Sequence, residues 1–152
     1  MSYTISQVEE LTGISAYTLR YYDKLGLLPF VDRTNTGNRC FKDADFKYLN
    51  MITCLKETGM PLAEIGQFID WCMAGDTTLN ERRQMFTSQV QAVEAQIADL
   101  QANLRKLEYK QKYYETAVKY GTEAVIIGDC EFPDIPLRID QTKLDTLTTK
   151  VG

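Results

Sequence analysis

Thr18-Leu-Arg-Tyr-Tyr-Asp-Lys-Leu-Gly-Leu-Leu-Pro29 sets a guanidinium and two phenols, Arg20, Tyr21 and Tyr22, side by side on a short predicted helix. Gly26 closes that helix and Pro29 follows it, the usual punctuation at a helix C-terminus. Residues 5–11 form a second amphipathic stretch, Thr12-Gly13-Ile14 makes the turn between the two, and the Ser15 hydroxyl is placed to cap the second helix. A helix, a glycine-containing turn and a second helix carrying Arg and Tyr make the pattern of a helix-turn-helix that enters a DNA groove.

Working outward, residues 29–41 put Asn35, Thr36, Gly37 and Asn38 between short extended flanks, as a hairpin requires. Arg33 and Arg39 flank its tip, so the hairpin reads as a basic wing. Asp43 opens a further helix, with Phe46, Leu49, Ile52 and Leu55 along one face, and Thr58-Gly59 stops it. Pro61 is expected at the first helical position of the next helix, which turns Ile65, Phe68, Ile69 and Cys72 inward before Gly75-Asp76 ends the unit.

The pattern then changes. One heptad series runs Leu79, Phe86, Val93, Leu100, Leu107, Tyr114, and the other runs Arg83, Val90, Ile97, Leu104, Gln111, Val118. No Gly or Pro interrupts residues 79–118, and a two-in-seven apolar stripe is the coiled-coil signature. Each large side chain left bare on such a seam forgoes roughly 1.5–3 kcal/mol of burial, so a second copy of the chain is the expected partner. The expected division is a DNA-binding domain at 1–75, a dimerisation helix at 79–120 and a short C-terminal tail at 121–152. The fold class is mainly α, with the winged unit first.

Composition bounds the rest. The 152 residues carry a net charge of −4, yet residues 16–47 hold six basic residues against four aspartates. That small local excess permits DNA binding without demanding it, and two copies would double the phosphate contacts. No run of apolar residues is long enough to span a membrane and no leader is visible, so a cytoplasmic, nucleoid-associated protein is expected. Four cysteines, Cys40, Cys54, Cys72 and Cys130, without any C-x-x-C and without histidine, argue against disulfides, a metal site, an iron–sulfur cluster or another cofactor. Nucleophile–base pairs and glycine-rich phosphate loops are equally missing from the sequence, so no enzyme is expected.

The Arg-Tyr-Tyr run and the Asn35-Thr-Gly-Asn-Arg39 wing closely resemble the MerR family of bacterial transcription regulators, over residues 3–75 and, by architecture, the long helix. That resemblance implies an antiparallel coiled coil in the dimer and a pseudo-palindromic promoter site. It also implies distortion of the promoter spacer, through which RNA polymerase is affected indirectly. The residues expected on double-stranded promoter DNA are Tyr17, Thr18, Arg20, Tyr21, Tyr22, Arg33, Asn38, Arg39 and Lys56. Arg20 offers a planar fork for a guanine edge or a phosphate. Of the adjacent phenols, which point about 100° apart, Tyr22 is the one more suited to packing inward. Cys40, next to Phe41, stands where many relatives carry a basic or polar residue. Residues 52–62 resemble the branch of the family that responds to aldehydes and other electrophiles, which makes Cys54 the candidate stress-sensing thiol, with Lys56 and Lys47 near enough in sequence to favour its thiolate. Two alternatives stand beside this: a non-covalent organic ligand held near Trp71 and the tail, or a coiled-coil adaptor that contacts protein rather than DNA.

Overall fold

The computed structural model describes residues 1–128 and 135–150. It comprises two compact units, Met1–Val93 and Glu94–Gly152. Cys130 lies outside the described residues.

In the first unit, helix α1 (Ile5–Thr12) starts at a reciprocal cap: the Gln7 amide donates to Thr4 Oγ1 at 3.3 Å and the Thr4 amide donates to Gln7 Oε1 at 2.9 Å. It stops at Gly13, whose backbone takes the left-handed conformation (φ 75°). Helix α2 (Ala16–Lys24) follows, capped by Ser15, which accepts the Thr18 amide at 3.1 Å. The expected helix-turn-helix is therefore present.

The wing is built from strands β2 (Asp32–Arg33) and β3 (Arg39–Lys42), paired antiparallel with Arg33 opposite Arg39. A strand that the sequence reading did not foresee, β1 (Ser2–Tyr3), pairs with the other edge of β3, Tyr3 opposite Phe41. The sheet order is β1-β3-β2, which puts the wing's inner strand in the centre. Phe41 is fully buried beneath it.

Helix α3 (Phe46–Glu57) is entered through a 3-10 turn at Asp43–Asp45, so the helical start expected at Asp43 is a tighter turn. Asp45 is a buried carboxylate there, and it accepts the Lys42 amide at 2.8 Å, which offsets its desolvation. Before helix α4 (Leu62–Ala74), Pro61 has an extended backbone (ψ 146°) and serves as the cap instead of the first helical residue. Leu49, Ile52 and Leu55 of α3 meet Ile65, Phe68 and Ile69 of α4 in a core shared with Val8, Leu19, Leu27, Leu28 and Phe41.

Helix α5 (Leu79–Tyr120) runs for 42 residues of good helix formers. Its first turns belong to the first unit. Phe86 meets Phe68 edge-on at 5.3 Å, Met85 packs on the same core, and Gln89 Nε2 donates to the Thr58 carbonyl at 3.0 Å. Those contacts place the division of the chain within α5, whereas the sequence suggested a break between 75 and 79. They also take Phe86 off the free seam.

In the second unit, Tyr109 and Ala117 of α5 are buried together with Val125. The expected short tail is more than a tail. Strands β4 (Ile126–Ile127) and β5 (Arg138–Ile139) pair antiparallel, and Asp140 caps helix α6 (Gln141–Thr149) by accepting the Lys143 amide at 3.1 Å. At Gly128 (φ 143°) a Cβ would come 3.0 Å from Leu137 Cδ2, so the close approach of these strands depends on a residue without a side chain. The seam of this unit stays bare: Ile97, Leu100, Leu104, Leu107, Tyr114 and Val118 are all exposed. No helix among the described residues is long and apolar enough to cross a membrane.

Candidate nucleic-acid interface

Helix α2 divides cleanly by periodicity. Leu19 and Tyr22 face the core, while Tyr17, Arg20, Tyr21 and Lys24, spaced as one face of a helix must be, face outward. Tyr17 is 81% exposed, and Arg20 makes no ion pair among the described residues, so its five donors remain available. Thr18 is half-buried, its hydroxyl oxygen accepting from Ser15 at 2.9 Å as part of the cap.

Tyr22 departs from the expected set of DNA contacts. It is only 4% exposed, and its ring lies under the Lys56 ammonium at 5.3 Å. An aromatic at that helical position completes the core between α2 and α3, and the inward option for this phenol is the one realised. Lys24 shows the converse. It lies on the outward stripe at the i+3 and i+4 positions from Tyr21 and Arg20, a spacing that could have selected it from the sequence.

The wing is tied to α2 by a charge that the sequence reading did not use. Asp23 Oδ2 accepts from Arg39 Nε at 2.7 Å and from Arg33 Nη2 at 2.7 Å. Arg39 is mostly enclosed (side chain 22% exposed), so its main work is to hold the wing against the helix. Arg33 is more open (54%) and also donates from Nη1 to the Gly37 carbonyl at 3.0 Å. The tip is tied internally as well: the Asn38 amide donates to Thr34 Oγ1 at 3.1 Å, and the Thr34 and Thr36 hydroxyls lie 2.9 Å apart. Asn38 itself is exposed at the tip. Lys42 Nζ meets Asp32 Oδ2 at 2.7 Å, and that carboxylate raises the pKa of the ammonium.

Cys54 is exposed on α3, on the outward stripe that also carries Lys47, Asn50 and Met51. Neither lysine expected to assist it is directed to it. Lys56, two residues on, leans over Tyr22, and Lys47 lies over the Tyr48 ring at 4.7 Å. Cys72 is half-buried, and burial raises its pKa against the opposing pull of Arg82. Among the described residues no three His, Cys, Asp or Glu side chains are grouped so as to hold a metal ion.

The chain matches the family described as MerR HTH family regulatory protein over residues 3–70, and the one described as MerR, DNA binding, over residues 46–109. An HTH-type transcriptional regulator of Haemophilus influenzae is 44% identical over 136 residues, spanning 90% of this chain and 98% of that one. Among solved structures, HiNmlR, a MerR family regulator lacking the sensor domain and bound to promoter DNA, is similar with a TM-score of 0.70 and 46% identity, covering 82% of this chain and 98% of that one. A MerR family regulator from Bacillus thuringiensis is similar with a TM-score of 0.65 and 44% identity, covering 76% and 99%.

Proposed function

The chain belongs to the MerR family of DNA-binding transcriptional regulators, and on that footing we propose that it binds a pseudo-palindromic promoter site as a homodimer. The observation that carries this reading is the outward face of α2, where Tyr17, Arg20, Tyr21 and Lys24 stand together beside a wing already fixed in place by Asp23. In this assignment Arg20 reads a guanine edge or clamps a phosphate. Tyr17, Thr18 and Tyr21 donate hydroxyls to DNA, and Arg33, Asn38 and Lys56 position the backbone. Arg39 contributes mainly by holding Arg33 and the wing.

The exposed seam of α5 supports the dimer, since six large side chains from Ile97 to Val118 stand exposed among the described residues. We assign the pairing as an antiparallel coiled coil between the α5 helices of two chains, within residues 79–120. The wings and α2 helices of the two chains bend and untwist the spacer between their half-sites, so that RNA polymerase is affected through the shape of the promoter. The protein then works in the cytoplasm, on the chromosome.

For the signal, we assign Cys54. The relative bound to promoter DNA is a MerR family regulator lacking the sensor domain. Cys54 is exposed beside the DNA-binding helices. Its sulfur adds to an aldehyde carbon, and the thiol proton passes to the carbonyl oxygen, which gives a hemithioacetal with no leaving group. The added group on α3 then shifts the dimer between two DNA geometries.

Footprinting on the adjacent promoter, over a range of salt, tests the DNA reading. A two-fold footprint that weakens steeply with salt and is lost with Arg20→Ala is the expected result. The absence of any salt-sensitive protection, with Arg20→Ala behaving like wild type, would favour the adaptor. Aldehyde-induced transcription in the Cys54→Ser variant tests the thiol separately, and full induction in that variant would remove Cys54 from the mechanism.

A further inference from the structure

We propose that the groove between α4 and the first turns of α5 is a binding site for hydrophobic organic cations. This goes beyond the regulator reading and does not involve Cys54. The groove has a volume of 640 Å³, within the range of about 300–1,000 Å³ typical of small-molecule sites. All of its lining residues lie in the first unit.

Its walls combine two kinds of chemistry. Met60, Trp71 and Met85 supply an apolar surface, with the thioethers able to adapt to irregular shapes. Glu64 from α4 and Glu81 from α5 bring a carboxylate to each side, and neither makes a salt bridge among the described residues. A cation of low hydration, placed against the indole face and between two unneutralised carboxylates, gains from both. An anion of the same size is repelled by the two carboxylates, and a neutral molecule gains only the apolar part.

The groove residues of α5 lie off the heptad stripe. At about 100° per residue, Glu81, Gln84, Ser88 and Ala92 project from the side of α5 opposite Leu79, Arg83, Val90 and Val93. Gln89 pins one end of it to the turn after α3 through the Thr58 carbonyl, and the Thr78 hydroxyl reaches the Trp71 carbonyl at the other. A ligand seated there touches both helices of one compact unit.

Trp71 is the only tryptophan in the chain, so it reports on its own site. Titrating the full-length protein with benzyltributylammonium is expected to give a saturable change in Trp71 fluorescence, matched by calorimetry. N,N-dibutylbenzamide, a neutral molecule of similar shape, is expected to bind about tenfold more weakly, and the Glu64→Gln/Glu81→Gln protein to lose the cation's advantage by a similar factor. Trp71→Phe should silence the fluorescence while calorimetric binding persists, and Cys54→Ser should bind as wild type. Equal affinity for the two probes in the wild-type protein would overturn the proposal without need of any variant. So would the absence of saturable binding by both methods, or a folded double variant that binds the cation unchanged.

Discussion

Arg39 reaches from the wing to helix α2, its Nε 2.7 Å from the same Asp23 oxygen that accepts from Arg33. Two guanidinium groups converging on one carboxylate make the wing part of the helix-turn-helix rather than an appendage of it. The clamp is partly shielded, with Asp23 18% exposed, so it is worth more than a free surface pair and less than a buried one. Replacing Asp23 with Asn keeps the shape and removes the charge. The expected result is a loss of about 1 kcal/mol in urea unfolding, with faster amide exchange confined to the wing. Unchanged exchange at the wing would show that the strand pairing holds it unaided.

Arg20 and Tyr17 should separate by magnitude. Arg20→Ala is expected to weaken specific binding by about 1–3 kcal/mol, and Arg20→Lys to restore little of it where the planar fork grips a base edge. Tyr17→Phe removes a single hydroxyl and should cost about 1 kcal/mol. A gel-shift series at fixed salt measures all three. An Arg20→Lys protein that binds like wild type would reassign Arg20 to a phosphate.

The seam offers a test that spares the fold. Leu104 is exposed within the chain, so Leu104→Asp leaves the single chain intact while placing a charge in the expected interface. Sedimentation should show a folded monomer, and promoter affinity should fall by more than about tenfold once the two half-sites are no longer linked. A dimer that survives Leu104→Asp would place the interface elsewhere.

The cysteines should react in order of access. Cys54 is exposed, whereas Cys72 is half-buried and its pKa is raised by desolvation. A raised pKa keeps Cys72 protonated through neutral pH, and the thiol form is the unreactive one. Iodoacetamide at neutral pH should therefore label Cys54 well before Cys72, as read by mass spectrometry. The gap should narrow as the pH rises above the ordinary thiol range. Labelling of Cys72 first would contradict the burial that the structure gives it.

Much of this fold was legible because its signals are local. The Ser15 cap, the glycine after α1 and the heptad stripe each follow from chemistry within a few residues. Strand β1 was not legible, since two residues carry no period, and Ser2 and Tyr3 become a strand only because β3 offers a free edge. No local signal singles out Asp23, and its role appears only when a hairpin ten to sixteen residues away folds back onto it. Phe86 fitted the heptad perfectly well, yet the ring of Phe68 holds it in the core. Periodicity identifies an apolar face but not which neighbour will cover it. The tail after residue 120 concealed a strand pair and a helix because its strands are two residues long.

The tip of the wing, tied by its own Thr34, Thr36 and Asn38 groups, has a thermodynamic consequence for association. Ordering a five-residue loop on a ligand ordinarily carries an entropic penalty of roughly 1–2 kcal/mol for each residue fixed. Here that ordering takes place when the chain folds, before any encounter. The heat-capacity change on binding should then report surface burial and DNA deformation, with no contribution from coupled folding of the wing.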